Sequence, residues 1–435
     1  MLRAYKYRIY PTSEQETILT QQFGIGRFVY NWVLSQKQKE YERYEAWKES
    51  LVGEKPKGKS VFDYCKLLTE LKKELTWIQE AHSQTIQQEI AHVFQAYTSF
   101  FKSIKERKAQ RKKIAKSNGR LLNFPRFKSK KDRQSLSFPQ ATKVDLPSET
   151  VQIPKLGKVK CIFSRKFVGQ IKTTTLSKTV TNKYFVSILV EDGVELPEPG
   201  APDQDSALGI DVGLTHFATL SDGTKIANPR VLRRSLSRLK RAQRSMGRKK
   251  NRASKNYGKA KLRRALLEER VANQRSDFLH KATHDLVCKS QATTFCVEDL
   301  SVKNLMQNHK LARAIADVSW SEFFRQLKYK AQWYGKNVLE IGRFVPSSKT
   351  CSHCGYQVDS LPLRIRRWQC SCCGVEHDRD QNAALNIVIF AFDKVSSVVA
   401  KIPAGQPVLD ACGCVASVNS LVKDKSCSGS RNSLV

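Results

Sequence analysis

Two sets of side chains in this sequence could hold metal ions, and each set suits a different metal. Cys351-Ser352-His353-Cys354 and Cys370-Ser371-Cys372-Cys373 arrange thiols as C-x2-C-x15-C-x2-C, each pair followed by a glycine, Gly355 and Gly374. Two thiolates two residues apart grip one ion from a tight turn, and two such knuckles complete a tetrahedron around Zn2+. Four thiolates leave no position for water, so the expected role is structural. Disulfides would need an oxidising compartment, for which the sequence shows no targeting signal. Cys372 could replace Cys373, although the spacing favours Cys373, and His353 reads as filler inside a knuckle.

The second set is acidic. Asp211 ends the apolar run in Leu208-Gly209-Ile210-Asp211-Val212-Gly213, and Glu298 ends Thr294-Phe295-Cys296-Val297-Glu298. Asp380, in His377-Asp378-Arg379-Asp380-Gln381-Asn382, stands at the start of an apolar helix. Singly, each has an ordinary explanation: turn chemistry, a strand-ending acid, a helix cap. Together, two strand ends and a helix start can converge on one edge of an α/β sheet, where three carboxylates would bind Mg2+ and leave room for water and phosphate. Two such ions about 4 Å apart activate an attacking water and stabilise a departing 3′-oxygen, which is nuclease chemistry. No G-x-x-x-x-G-K-[ST] loop, G-x-S-x-G elbow or G-x-G-x-x-G turn offers a competing site.

Charge supplies the partner class. The 435 residues carry 76 Lys+Arg against 40 Asp+Glu, a net +36 that calls for a polyanion, and DNA or RNA is the natural one. With 40% hydrophobic residues the chain is a folded protein and not a disordered polycation. No run is apolar enough to span a bilayer and the N-terminus has no apolar signal core, so the expectation is a cytoplasmic, nucleoid-associated protein with no membrane partner. The basic residues are concentrated. Arg233 to Arg252 holds ten Lys/Arg and no acid, including Arg233, Arg234, Arg238, Lys240, Arg241 and Arg244. Lys102 to Arg133 holds fourteen, including Lys112, Lys113, Arg126 and Lys128, against Glu106 and Asp132.

The elements that must position these groups follow from periodicity. Leu2 to Tyr10 alternates as a strand, a helix runs from about Thr12 to Tyr44, and helical periodicity returns from Phe62 to Lys116. Short β-branched runs between Ser135 and Val190 read as an antiparallel sheet or small barrel, giving one β domain interrupted by helices. Residues 195 to 205, with three prolines, read as a linker. Strands at Ala207–Asp211, Thr215–Leu220, Thr293–Val297 and Asn337–Ile341, with long helices between, read as an α/β domain. The stretch from Lys394 lacks periodicity and is expected to be a disordered tail.

With these motifs in order, the sequence resembles the TnpB (OrfB) proteins of bacterial insertion sequences, compact RNA-guided DNA nucleases related to type V CRISPR effectors. The resemblance rests on Gly209 to Gly213, Val297-Glu298-Asp299-Leu300, the four-cysteine ribbon and Asp378 to Ile387. It extends to Tyr7 to Pro11, Arg27-Phe28-Val29-Tyr30-Asn31 and Phe124-Pro125-Arg126-Phe127-Lys128. It implies a multidomain α/β plus β-barrel fold. A wedge-type barrel (1–10 and 120–194) would be interrupted by a helical recognition insert (11–119). A linker (195–205) would lead to an RNase H-like (RuvC) nuclease domain (206–345 and 377–393), which carries an inserted zinc ribbon (346–376) and a tail (394–435). Asp211, Glu298 and Asp380 are then the catalytic acids holding two Mg2+, with Mn2+ able to substitute. Cys351, Cys354, Cys370 and Cys373 hold Zn2+. The implied partners are a guide RNA derived from the transposon end and double-stranded target DNA, gripped through the basic tracts. Gln84 and Gln87 suit adenine edges in a short adjacent motif. A compact type V effector, a non-cleaving RNA-guided regulator and a strand-joining transposase are the rival readings.

Overall fold

The alternation of Arg3, Lys6 and Arg8 with Tyr5, Tyr7 and Ile9 produces β1 (Leu2–Tyr10), which buries Tyr7 and Ile9. The structure is a computed structural model and describes residues 1–50, 54–109, 116–117, 120–121 and 124–399. It divides into two units, Met1–Val194 and Glu195–Val435.

In the first unit, β1 is followed by α1 (Ser13–Ser50), α2 (Val61–Glu74) and α3 (Ser83–Ala109). The expected single helical stretch from Phe62 to Lys116 is broken. α2 starts at a Ser60/Asp63 capping box, and a 3-10 turn over Thr76–Glu80 drives Ile78 into the helical core beside Leu68, Ile86 and Ile90. A two-residue hairpin, β2 (Lys116–Ser117) and β3 (Arg120–Leu121), precedes β4 (Gln134–Phe138), β5 (Lys143–Asp145), β6 (Thr150–Ile153), β7 (Gly157–Ile162), β8 (Gln170–Lys178) and β9 (Tyr184–Glu191). These strands and β1 form a seven-stranded sheet ordered β4-β8-β9-β1-β7-β6-β5, with every pair antiparallel. The strand before the helices thus pairs on both sides with strands that follow them. Among the described residues, the hydrogen-bonded ladder is open at β4 and β5.

The second unit is built on β10 (Ala207–Val212), β11 (His216–Leu220), β12 (Lys225–Ala227), β13 (Thr294–Glu298) and β14 (Asn337–Ile341), ordered β12-β11-β10-β13-β14. The first three are antiparallel neighbours, whereas β10, β13 and β14 run parallel. Between them lie α4 (Val231–Gly247), α5 (Lys255–His284), α6 (Val302–Leu305), α7 (Ala312–Val318) and α8 (Trp320–Trp333). The chain ends, as described, with β15 (Arg367–Gln369), β16 (Glu376–Asp378) and α9 (Arg379–Val399).

Strand parity assigns the two faces. Leu208, Ile210, Phe295 and Val297 pack with Leu279, Phe323 and Leu327 from α5 and α8. The alternate residues face α9, where Cys296, Leu339 and Ile341 meet Ile387, Val388 and Ala391. α9 runs six residues past the expected boundary at 393, because its apolar face continues along the sheet to Val395. Residues 400–435, the rest of the expected tail, lie outside the described residues. The expected linker residues 195–205 are tied to this unit, Asn337 Nδ2 donating to the Gly200 carbonyl at 2.8 Å. Among the described residues, no helix is long and apolar enough to cross a membrane.

Candidate active site and metal centre

β10 and β13 are parallel and in register, with Gly209 opposite Cys296 and Ile210 opposite Val297. One residue further along, Asp211 and Glu298 stand on adjacent strands, at a strand spacing of about 4.8 Å and on the face that α9 covers. Gly209 is what lets α9 lie so low. It shares that face, and a Cβ there would stand 2.0 Å from the Ala384 carbonyl oxygen. Ala383 and Ala384 are buried at this crossing, and Asp380, one turn earlier, is thereby held over the strand ends. Asp378 caps the helix, accepting from the backbone N–H groups of Asp380 (3.0 Å) and Gln381 (3.2 Å).

The electrostatics are those of a crowded acidic cluster. Burial first, then the charges of Glu298 and Asp380, push the Asp211 carboxyl well above its ordinary range, with Arg379 and Arg366 partly offsetting them. Burial raises Glu298 as well, against a 2.7 Å hydrogen bond donated by the Ser347 hydroxyl. Arg366 donates to Asp380 at 2.9 Å. Asp378 behaves oppositely. Burial would raise it, but the 2.7 Å contact from Lys225 and its two capping amides outweigh that and lower it. Oxygen donors whose own charges oppose their ionisation fit a hard divalent cation. Among the described residues, however, the three acids do not form a closed ligand cluster; the one group that does is the cysteine set.

In that set, the ligand atoms of Cys351, Cys354, Cys370 and Cys373 all lie within 4.8 Å of one another. The Cys351–Cys373 and Cys354–Cys370 sulfurs are each 3.7 Å apart. A tetrahedron with Zn–S bonds of about 2.3 Å has edges of about 3.8 Å, so the spacing fits zinc. The knuckles are built alike: Gly355 N–H donates to the Cys351 carbonyl and Gly374 N–H to that of Cys370, both at 2.9 Å, and both glycines have φ near 76°. Cys372 is exposed and outside the cluster, as is His353. Sequence reasoning missed His377, whose Nε2 lies 3.0 Å from the Cys351 sulfur while Trp368 packs on its ring.

It also missed the clamp between the ribbon and α9. Asn382 Nδ2 donates to the Thr350 carbonyl (2.7 Å) and its Oδ1 accepts from Ser352 N–H (2.9 Å). One turn on, Asn386 donates to the carbonyls of Ser347 (2.7 Å) and Thr350 (2.6 Å). Ser347, so held, is the hydroxyl that reaches Glu298. Arg379 fastens the other side through the carbonyls of Leu361 and Pro362. The available signal was two asparagines four residues apart on the face of an otherwise apolar helix, a placement that demands buried partners.

The expected nucleic-acid contacts are placed unevenly. Arg233, Arg234, Arg238, Lys240, Arg241 and Arg244 lie on α4, all exposed, with no ion pair among those described. In the first unit Arg126 and Gln87 are exposed, and Gln84 donates to Gln140 at 3.0 Å. Lys128 is held internally, 2.6 Å from the buried Glu89 and over the Tyr30 ring, while Asn31 brackets its backbone with bonds of 2.7 and 2.9 Å. The burial of Glu89 explains that engagement, since an unpaired carboxylate there would be costly. Lys112 and Lys113 lie outside the described residues.

Comparison with known proteins places the chain in a family. A Streptomyces pristinaespiralis protein described as "Putative RNA-guided DNA endonuclease" is 38% identical over 391 residues, covering 89% of this chain and 88% of that one. The chain belongs to the OrfB (TnpB) family. The Escherichia coli K12 "Putative RNA-guided DNA endonuclease InsQ" is 31% identical over 405 residues, covering 89% of this chain and 92% of InsQ. Family models match at residues 187–309 (OrfB of the IS605 type, "Probable transposase"), 320–387 (Cas12f1-like TNB domain) and 1–46 (helix-turn-helix domain). In this OrfB chain residues 1–46 form β1 and most of α1, one strand and one continuous helix. The chain shares its fold with Cas12f1, solved as a complex with sgRNA and target DNA, at a TM-score of 0.50 and 13% identity over 89% of this chain and 98% of that one.

Proposed function

We propose that this protein is a transposon-encoded RNA-guided DNA endonuclease. A guide RNA from the transposon end pairs with one target strand beside a short adjacent motif, and single-stranded DNA enters the site formed by Asp211, Glu298 and Asp380. The observation that carries this reading is the in-register pairing of β10 with β13, which sets Asp211 beside Glu298 under the start of α9. The three acids would hold two Mg2+, or Mn2+ in their place; such ions, once bound, activate water and stabilise the leaving 3′-oxygen. Ser347 orients Glu298, Asp378 fixes the first turn of α9, and the exposed Arg366 offers Asp380 a counter-charge. The cysteine cluster holds structural Zn2+ and, through Asn382 and Asn386, locks the ribbon to the helix bearing Asp380.

The basic α4 face serves the RNA and DNA backbones, while the first unit serves as wedge domain and recognition insert. The intact acidic triad favours cutting over non-cleaving regulation. Sequencing RNA that copurifies with the protein tests the guided reading. A single species ending in a segment that redirects binding when altered is the expected result, and unspecific cellular RNA would overturn it.

A further inference from the structure

At the same edge of the sheet as the acids, but on the face opposite α9, lies a cleft of about 540 Å3 that neither the three carboxylates nor the zinc ribbon uses. Its walls are three segments that leave the sheet at the edge where Asp211 and Glu298 stand: the turn after β10, the segment after β12 and the chain that follows β13 as far as α7. They are fixed to one another. Asn228 Nδ2 donates to the Leu214 carbonyl at 2.8 Å. Asp317 of α7 accepts the Leu232 N–H at the start of α4 (3.0 Å), and Arg275 as well (3.2 Å). The floor is apolar, formed by Leu214, Leu232 and Val318. The rim carries Arg230, Arg233, Lys310 and Arg313, all exposed and with no ion pair among those described. Its one carboxylate, Asp317, is already neutralised by Arg275.

A preformed cleft of this size with an apolar floor and a cationic rim suits a flat apolar body flanked by anions. An unstacked nucleotide is such a body, since its base seeks an apolar or aromatic face and its phosphates seek Arg and Lys. We propose that this cleft is a subsite for one nucleotide of the DNA strand being cut, with its base on Leu214, Leu232 and Val318 and its phosphates on the four cations. The inference rests on the nuclease reading. A duplex could not present a single base to the floor, and Leu214, three residues after Asp211, puts the cleft at the sheet edge where the acids stand, so that a strand crossing that edge reaches both.

The test uses guide-loaded full-length protein and target DNA with one abasic residue moved position by position past the cut site. One abasic position should slow wild-type cutting about tenfold. Ala314→Trp, which fills the cleft from an exposed position, should slow intact DNA by a similar factor and lose that dependence. Lys310→Ala with Arg313→Ala should slow cutting with bound RNA unchanged. Absence of any position-specific effect, or loss of bound RNA in the double variant, would overturn the subsite, the latter assigning the cleft to the guide. Affinity for a short DNA single strand is read without cutting. About tenfold weaker binding by Ala314→Trp is expected, and equal affinity overturns the subsite even where the nuclease reading itself has failed, as cutting by Asp211→Ala would show.

Discussion

Gly209→Ala is the substitution whose consequence follows most directly from the geometry. The added Cβ would lie 2.0 Å from the Ala384 carbonyl oxygen, 2.9 Å from Val388 Cγ2 and 3.0 Å from the Ala384 carbonyl carbon. Two of these are backbone atoms in the middle of α9, so no side-chain rotation relieves the clash. An ordinary contact requires the helix to retreat by about 1.4 Å. That retreat moves Asp380 away from Asp211 and Glu298, and misplacement of about 1 Å costs roughly 100-fold in rate. Overpacking of this kind costs about 1–3 kcal/mol, a loss of several degrees in Tm for a domain of this size. Single-turnover cleavage of a target plasmid and a thermal melt read both effects, with zinc content and RNA binding expected to match wild type. Gly247→Ala, where a Cβ meets nothing within 4 Å, is the control. Cleavage within threefold of wild type with an unchanged Tm would refute the seating of α9 on β10.

Three further outcomes are expected. Asp211→Asn should abolish cleavage yet raise Tm at neutral pH without divalent cation. A carboxyl raised in the folded state loses stability as pH climbs above its unfolded value of 3.8, so the gain should shrink toward pH 4 and reverse sign when Mg2+ favours the wild type. Asn386→Ala strips a donor from the carbonyls of Ser347 and Thr350. A destabilisation of about 1–3 kcal/mol and slower cleavage through Ser347 and Glu298 should follow, measured by urea melts and single-turnover rates. Replacing Arg238, Arg241 and Arg244 together by Ala should reduce the slope of log affinity against log salt by roughly two to three, measured by titration over salt concentration.

What was legible in the sequence was the chemistry that local pattern encodes. Asp211 and Glu298 announced themselves as acids ending apolar runs, and C-x2-C spacing defined the ribbon down to the choice of Cys373 over Cys372. What was not legible depended on partners distant in the chain. Gly209 is only one residue of an apolar strand motif until α9, 170 residues later, is seen to lie against it. Lys128 looks like one more basic residue until Glu89 is found buried beneath it. Asn382, Asn386 and His377 sit inside the quoted motif, but their bonds to the ribbon are tertiary facts that no spacing expresses. The break between α2 and α3 was missed because a 3-10 turn that buries Ile78 keeps the apolar periodicity nearly continuous.

In the proposed function, Asp211, Glu298 and Asp380 form the cutting site of a guided nuclease. Its most direct test is cleavage of a plasmid bearing the guide-matched target, in Mg2+, by RNA-loaded wild type and Asp211→Ala at saturating binding. Linearised plasmid from wild type and intact, protein-bound plasmid from the variant are expected. Intact plasmid with both proteins bound, or equal cutting by both, would contradict the proposed function.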